Sequence, residues 1–544
     1  MDDSYEISNT DDRQSCALEI QLMVEELAAL YELLSSGEFS DCYSRALSLL
    51  ERIKAVSNDT YRIRLLLNIS GLLVDVGSMS INRESSNLGL TLMEENKQDF
   101  IDVSGEGEYY YNLSNARVGL IKESDPFKHT FKSIEELIDI KALLWKSLKF
   151  HQKKTSPIFP QLMVNLGNIL KRQFRLSESL DFYDRVNSLS LDIPEAWINR
   201  SEALMMLNQV SGSYSVQMLH EVKSGYEKAA NCDGVPPSWR AHYKTYACHL
   251  EKKINHTCEQ LGIEADDRAL DLHDTQTEFN ELTDFRKFVL SRHLSLSEHG
   301  LYCACTGSAR DNLTIPSSSG IVGDFVPAME MVLNRLKSEF SLARLFYYEH
   351  QNDIQDNESK HESCFSELFN GELLSMGVEK LRTSFRLCFG ILDKIGAAIC
   401  DLYSVHPGGD IYFHNFWRLE KPDRRELFES IKTPGLIALY SLATDLNKHK
   451  DGELAFYKDW RNNFEHKFVV LYAGERPVDI YGSFEASKDI ELIQEAAFVG
   501  HLEQLLQITR SAMFSFVFCV REKAERDREA DGIYISNTID WQAP

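Results

Sequence analysis

Apolar residues recur along most of this chain at alternating spacings of three and four, the period of a helix with one buried stripe. The clearest run is Leu381, Phe385, Cys388, Leu392, Ile395 and Ile399, which predicts a long bundle-seam helix. Before it, Phe325, Met329, Val332, Leu336, Phe340 and Ala343 form a similar stripe, with Arg335, Lys337, Glu339 and Arg344 among the polar positions. A third pattern starts after Pro434-Gly435 with Leu436, Leu439, Ala443 and Leu446. It breaks at Asp451-Gly452 and resumes with Leu454, Tyr457, Trp460 and Phe464. A fourth runs from Phe498 through Leu502, Leu505, Ile508, Met513, Phe516 and Val520 into the charged stretch Arg521 to Arg528. Four such helices predict an up-down helical bundle over residues 321–528. Between its second and third helices lies an insertion, Pro407 to about Pro434, whose aromatic cluster Tyr412 to Trp417 is expected to serve packing.

The first half, residues 16–257, reads as helix after helix, and a small residue recurs in Asn68-Ile69-Ser70, Asn112-Leu113-Ser114, Asn165-Leu166-Gly167 and Asn199-Arg200-Ser201. A small side chain there lets the next helix approach closely. From Met163 to Trp197 and from Gly167 to Ser201 the offset is 34 residues. This resembles the tetratricopeptide repeat, with Met163, Leu166-Gly167, Tyr183 and Pro194 at the pattern positions and departures at Leu170 and Ser179. Such arrays leave a concave groove, so a protein or peptide partner is expected there. Residues 258–320 read as a connector, and 1–15 and 529–544 as tails. The fold class expected is all-α: a TPR-like repeat array followed by a helical bundle.

At 544 residues the chain is long enough for several domains. Its 58 basic and 83 acidic residues give a net charge of −25, which opposes non-specific adhesion to nucleic acid or anionic membrane, so any RNA contact must be a local basic site. The 11 cysteines have no disulfide rhythm, and the acidic N-terminus lacks a signal pattern, so a cytoplasmic location is expected. Cys303-Ala304-Cys305 has no matching second pair, and His299 reads as a surface or packing residue; no metal and no cofactor are expected. The longest apolar run, Ala512 to Val520, is about half of a membrane span. No Gly-rich phosphate loop, nucleophile elbow or carboxylate pair stands out.

The candidate chemistry lies in Trp460-Arg461-Asn462-Asn463-Phe464-Glu465-His466. On a helix Asn462 and His466 sit within about 40° of one another and about 6 Å apart, so both can address one ligand. Arg461 is about 140° round from His466 and joins them only through its long side chain, a loosened helix end or a second copy of the chain. An arginine fork suits phosphate oxygens, and a histidine moves protons near neutral pH, which together suggest phosphodiester cleavage. The spacing alone is weak, since Arg268 and His273 repeat it. Lys394, Arg382 and Arg386 are candidates for a local positive field that binds substrate, and Asp393 for orienting Arg461.

An Arg-Asn-x-x-x-His signature late in a four-helix bundle, with Leu392-Asp393-Lys394-Ile395 and a repeat-like first half, resembles the HEPN superfamily of ribonuclease and toxin domains, in its TPR-associated subgroup, over roughly Ser291 to Arg526. The resemblance implies a metal-independent endoribonuclease, acting as a homodimer whose two motifs share a cleft and serving in toxin or antiviral systems. A ribose 2′-hydroxyl of the RNA substrate attacks the neighbouring phosphate, with His466 as general base or acid, Arg461 on the phosphate and Asn462 orienting. Members silenced by nucleotide addition carry Tyr two residues after the His; this chain has Phe468. The alternative is a non-catalytic TPR/HEPN scaffold that binds RNA, nucleotide or protein.

Overall fold

The computed structural model describes residues 4–151, 156–189, 192–212, 215–262, 272–315, 328–352, 373, 375–406, 408–476 and 490–531. Phe325, Arg268, Pro407 and the Pro316 to Gly320 stretch lie outside the described residues. The fold is all-α, with one pair of four-residue strands among the described residues. It divides into two compact units, Met1–Ile169 and Leu170–Pro544, a boundary inside the stretch read as repeats.

The first unit contains α1 (Ser4–Ser36), which begins within the stretch read as a tail, then α2 (Phe39–Lys54), α3 (Asp59–Ser80), α4 (Arg83–Glu95), α5 (Lys97–Ser104), α6 (Glu106–Gly119) and α7 (Phe131–Phe150). Asn58, Asn82 and Thr130 cap α3, α4 and α7 with side-chain oxygens on first-turn amides, which fixes where each helix starts. Consecutive helices pack on one another around Leu30, Leu49, Ile69, Leu73 and Phe100. The small positions permit close approach: Ser70 is fully buried, and a Cβ at Gly89 of α4 would lie 2.7 Å from the Ser70 carbonyl oxygen. By length and composition α3 alone among the described helices is apolar enough to cross a membrane, and half of that stretch is buried in this core.

Helix α8 (Phe159–Arg172) spans the boundary. The second unit continues with α9 (Leu176–Ser188), α10 (Pro194–Ser211), α11 (Val216–Asn231), α12 (Pro237–Leu261), α13 (Leu272–Glu281) and α14 (Asp284–Ser291). A Cβ on Gly225 of α11 would collide with Ser201 of α10, so this pair also meets through small residues. The bundle comprises α15 (Ala328–Gln351), α16 (Met376–Leu402), α17 (Pro422–Ser430), α18 (Pro434–Asp445), α19 (Phe456–His466) and α20 (Glu495–Asp531). Helix α20, 37 residues and so about 56 Å long, is its spine: α15, α16 and α18 all pack against it. The predicted seam of α16 is fully buried from Leu381 to Ile399. Strand β1 (Val469–Tyr472) pairs in parallel with β2 (Glu491–Gln494), Val469 opposite Glu491.

Arg344 is a correction to the polar face read for α15. It is 1% exposed because Asp311 of the preceding loop pairs with its guanidinium and the Leu294 carbonyl accepts from Nη1 at 2.9 Å. Arg510 of α20 is equally buried and donates to the Ser295 carbonyl at 2.7 Å. Arg175, in the α8–α9 turn, donates to Asp445 of α18 and to Glu178, each at 2.5 Å. Burial by itself disfavours the Arg175 charge, but the two carboxylates outweigh it and hold the guanidinium protonated.

Candidate functional site

Helix α19 exists because the chain turns sharply after α18. Asn447 caps a short 3-10 turn, Asp451 takes a left-handed conformation at φ 50°, and Gly452 passes so close to the Thr444 and Asp445 carbonyls that no Cβ fits. The helix then buries Tyr457 and Trp460 in a box of aromatic rings with Phe385, Phe464 and Phe498, at centroid separations of 5.4 to 6.1 Å. The Tyr457 hydroxyl meets His501 Nδ1 and Gln504 Oε1, both at 2.9 Å. Glu491 of β2 takes the Trp460 indole N–H at 2.7 Å and the Asn463 amide at 2.6 Å. One face of α19 is thereby locked to α16, α20 and β2.

The rest of the helix carries the motif. Arg461 and Asn462 are half-buried, and His466 is exposed in the last turn. The charge of Arg461 acts to lower the pKa of both Asp393 of α16 and His414 of the insertion. Asp393 accepts the Phe413 amide N–H at 2.9 Å, tying α16 to the insertion. Its pKa is raised by burial, against the Phe413 N–H and the charges of Arg461 and Lys458. Asp393 therefore faces Arg461 electrostatically while its hydrogen bond goes elsewhere. Arg386 approaches Glu465 at 3.6 Å, one residue from His466. Arg382 donates to the Val469 carbonyl at 2.5 Å and pairs with Glu379, so it supports β1. Lys394 turns away to Glu339 of α15. Of the three basic residues read from α16, only Arg386 reaches the motif's end of α19.

Other cations were missed. Lys458, three residues before Arg461 and so on the same face, donates to His414 Nε2 at 3.1 Å. Burial first, then Lys458, Arg461 and His449, push the His414 pKa down to about 4, so at neutral pH its imidazole is an uncharged acceptor. Beside it opens a cleft of about 280 Å³ lined by His414, Asn415, Arg418, Asn447, His449 and Lys450. Arg418 holds a left-handed backbone, φ 49°, uncommon for a residue with a Cβ. Arg418 and Lys450 of this lining, which also includes Glu420, and Lys458 and Arg461 of α19 supply local positive charge in a chain of net charge −25. The spacing of Lys458 and Arg461 was a readable signal; the approach of the insertion was not. Within the insertion's aromatic cluster, Phe413, Phe416 and Trp417 are buried, Trp417 against Phe428 and Tyr440, as packing residues.

Arginine, amide and imidazole on α19 can hold a phosphodiester and move a proton. The nearby carboxylates are engaged by protein groups: Asp393 by Phe413, Glu465 by Arg386, Glu491 by Trp460 and Asn463. That donor set serves positioning.

Residues 323–523 match the family model described as LA2681-like HEPN. The match supports a HEPN domain over these residues, consistent with the all-α fold. The match contains α15 to α19 and most of α20, including the whole motif. No curated protein matches the chain.

Proposed function

We propose that this chain is a HEPN endoribonuclease that cuts RNA without a metal ion, acts as a homodimer through its bundle, and is controlled by a TPR-like first half that takes a protein or peptide partner. The observation that carries the reading is the presence of Arg461, Asn462 and His466 together on α19, inside the matched HEPN domain and beside a basic cleft. In the reaction, the ribose 2′-oxygen forms a bond to the adjacent phosphorus and the bond to the 5′-oxygen breaks. His466 takes the 2′-hydroxyl proton or supplies one to the leaving 5′-oxygen, according to which copy of the site it occupies. Arg461 neutralises charge growing on the phosphoryl oxygens, and Asn462 orients the phosphate. Because Arg461 and His466 diverge by about 140° on one helix, a second α19 supplies the missing partner across a dimer cleft. Arg386 and Lys458 add positive field; Lys394 and Arg382 are lesser contributors, each held by its own partners. A cytoplasmic toxin or antiviral effector is the biological setting of this reading.

The test uses one oligonucleotide sequence as RNA, as DNA and as 2′-O-methyl RNA. Cleavage of the RNA alone, leaving 2′,3′-cyclic phosphate and 5′-hydroxyl ends, is the expected result, and Arg461→Ala is expected to lower kcat by about 10²–10³ as for loss of a charge-stabilising donor. Equal cleavage of DNA overturns the mechanism.

A further inference from the structure

His299, Cys303 and Cys305 lie far apart in character from the helices around them: they meet on one irregular turn with their ligand-capable atoms all within 4.8 Å of one another. His299 Nε2 is 3.1 Å from Cys305 Sγ. Its other ring nitrogen, Nδ1, is 3.0 Å from the Tyr302 hydroxyl, which is in turn 3.0 Å from Ser215 Oγ at the N-terminus of α11. Ser215 Oγ also accepts the Met218 amide N–H. One direction of these bonds, Nδ1–H to Tyr302 and Tyr302 to Ser215, leaves the Nε2 lone pair facing the Cys305 sulfur. Outer-sphere support of one imidazole nitrogen while the other addresses soft donors is the arrangement of a metal-ligating histidine. Gln217 Nε2 contacts Cys303 Sγ at 3.5 Å, so α11 reaches this sulfur as well.

We propose that these three residues bind one zinc ion. Two thiolates and an imidazole suit zinc, whose Zn–S and Zn–N bonds of about 2.3 and 2.0–2.1 Å require donor separations of about 3.5–3.8 Å in a tetrahedron. Opening the His299 to Cys305 contact by about half an ångström meets this for that pair, and the other separations are within 4.8 Å. All three residues are partly exposed, and a cleft of about 270 Å³ lined by Cys303, Tyr302, His293 and Arg200 adjoins them, with room for water as fourth ligand. Zinc here stiffens the 298–305 turn, which Tyr302–Ser215 and Cys303–Gln217 contacts tie to α11 and the 2.6 Å Glu298–Arg521 pair ties to α20. All three ligands come from this one turn, and none belongs to α16, α19 or the insertion. The proposal is independent of the ribonuclease reading.

The experiment is metal analysis of the full chain purified under reducing conditions, followed by stripping and titration with Zn²⁺ and Co²⁺. One zinc per chain is expected, with sulfur-to-cobalt charge-transfer absorption on Co²⁺ uptake and loss of both in Cys303→Ser and Cys305→Ser. Should those variants fail to fold, the cobalt spectrum of the parent decides: thiolate bands support the site, and their absence overturns it. Full zinc retention by folded Cys303→Ser also overturns it, as does a Cys303–Cys305 disulfide whose reduction restores no metal uptake.

Discussion

His414 offers the sharpest test of the electrostatics around α19. Its imidazole is partly exposed, accepts from Lys458, and has its pKa lowered from 6.5 to about 4 by burial and by the charges of Lys458, Arg461 and His449. A base with a depressed folded pKa contributes its full stability above the unfolded value. That contribution is lost as pH falls from about 6.5 to about 4, because the unfolded chain takes up the proton first. Between pH 7 and pH 5 linkage gives a loss of about 2 kcal/mol, which solvent screening of a partly exposed group reduces to about 1 kcal/mol. His414→Gln keeps an acceptor for Lys458 and does not titrate. Urea unfolding at pH 7 and pH 5 is therefore expected to show the parent losing about 1 kcal/mol more than the variant; contributions from other groups such as Asp393 cancel in this difference. Imidazole C2-hydrogen exchange read by mass spectrometry on the peptide around His414 gives its titration directly, with a midpoint near 4 expected. Equal losses in the two proteins together with a midpoint at the ordinary histidine value refute the reasoning.

Arg175→Met is expected to destabilise the second unit by about 3–5 kcal/mol, since it removes the guanidinium paired with the buried Asp445 carboxylate, and the double variant with Asp445→Leu is expected to recover much of that in calorimetry or urea unfolding. A cost for the double variant equal to or above that of the single one contradicts this account of the pair. Gly452→Ala forces a Cβ into the Thr444 and Asp445 carbonyls, so faster backbone amide exchange over residues 447–466 is expected by mass spectrometry, while exchange in α3 stays unchanged. Phe385→Ala opens the aromatic box and is expected to cost about 3–5 kcal/mol and to loosen α19, read as red-shifted Trp460 emission.

Much of this architecture was legible in the chain because burial and apolar character coincide. The α16 seam, the break at Asp451-Gly452 and the long α20 stripe all follow from spacings of three and four, and together they gave the all-α bundle. Three buried arginines broke that rule. Arg175, Arg344 and Arg510 look like surface residues until their partners are known, and those partners stand 270, 33 and 215 positions away. Strands β1 and β2 are four residues each, too short for a period-two pattern to announce them. At the site, Arg461, Asn462 and His466 were readable as one helical motif, and Lys458 lies on the same face. His414 and Arg418 join them only because the insertion folds back over α16, which Asp393 secures through the Phe413 amide. No local pattern encodes that return. His299 is the parallel case: its relation to Cys303 and Cys305 depends on an irregular turn and on α11 supplying Ser215.

Comparing the folded parent chain with folded His466→Ala on mixed cellular RNA and tRNA, in buffer with no added divalent cation and with the full first half present in both, tests the ribonuclease proposal. The parent is expected to cut and leave 2′,3′-cyclic phosphate ends while the variant does not. Equal cutting by the two proteins contradicts the proposal, because His466 is then not the residue that moves the proton.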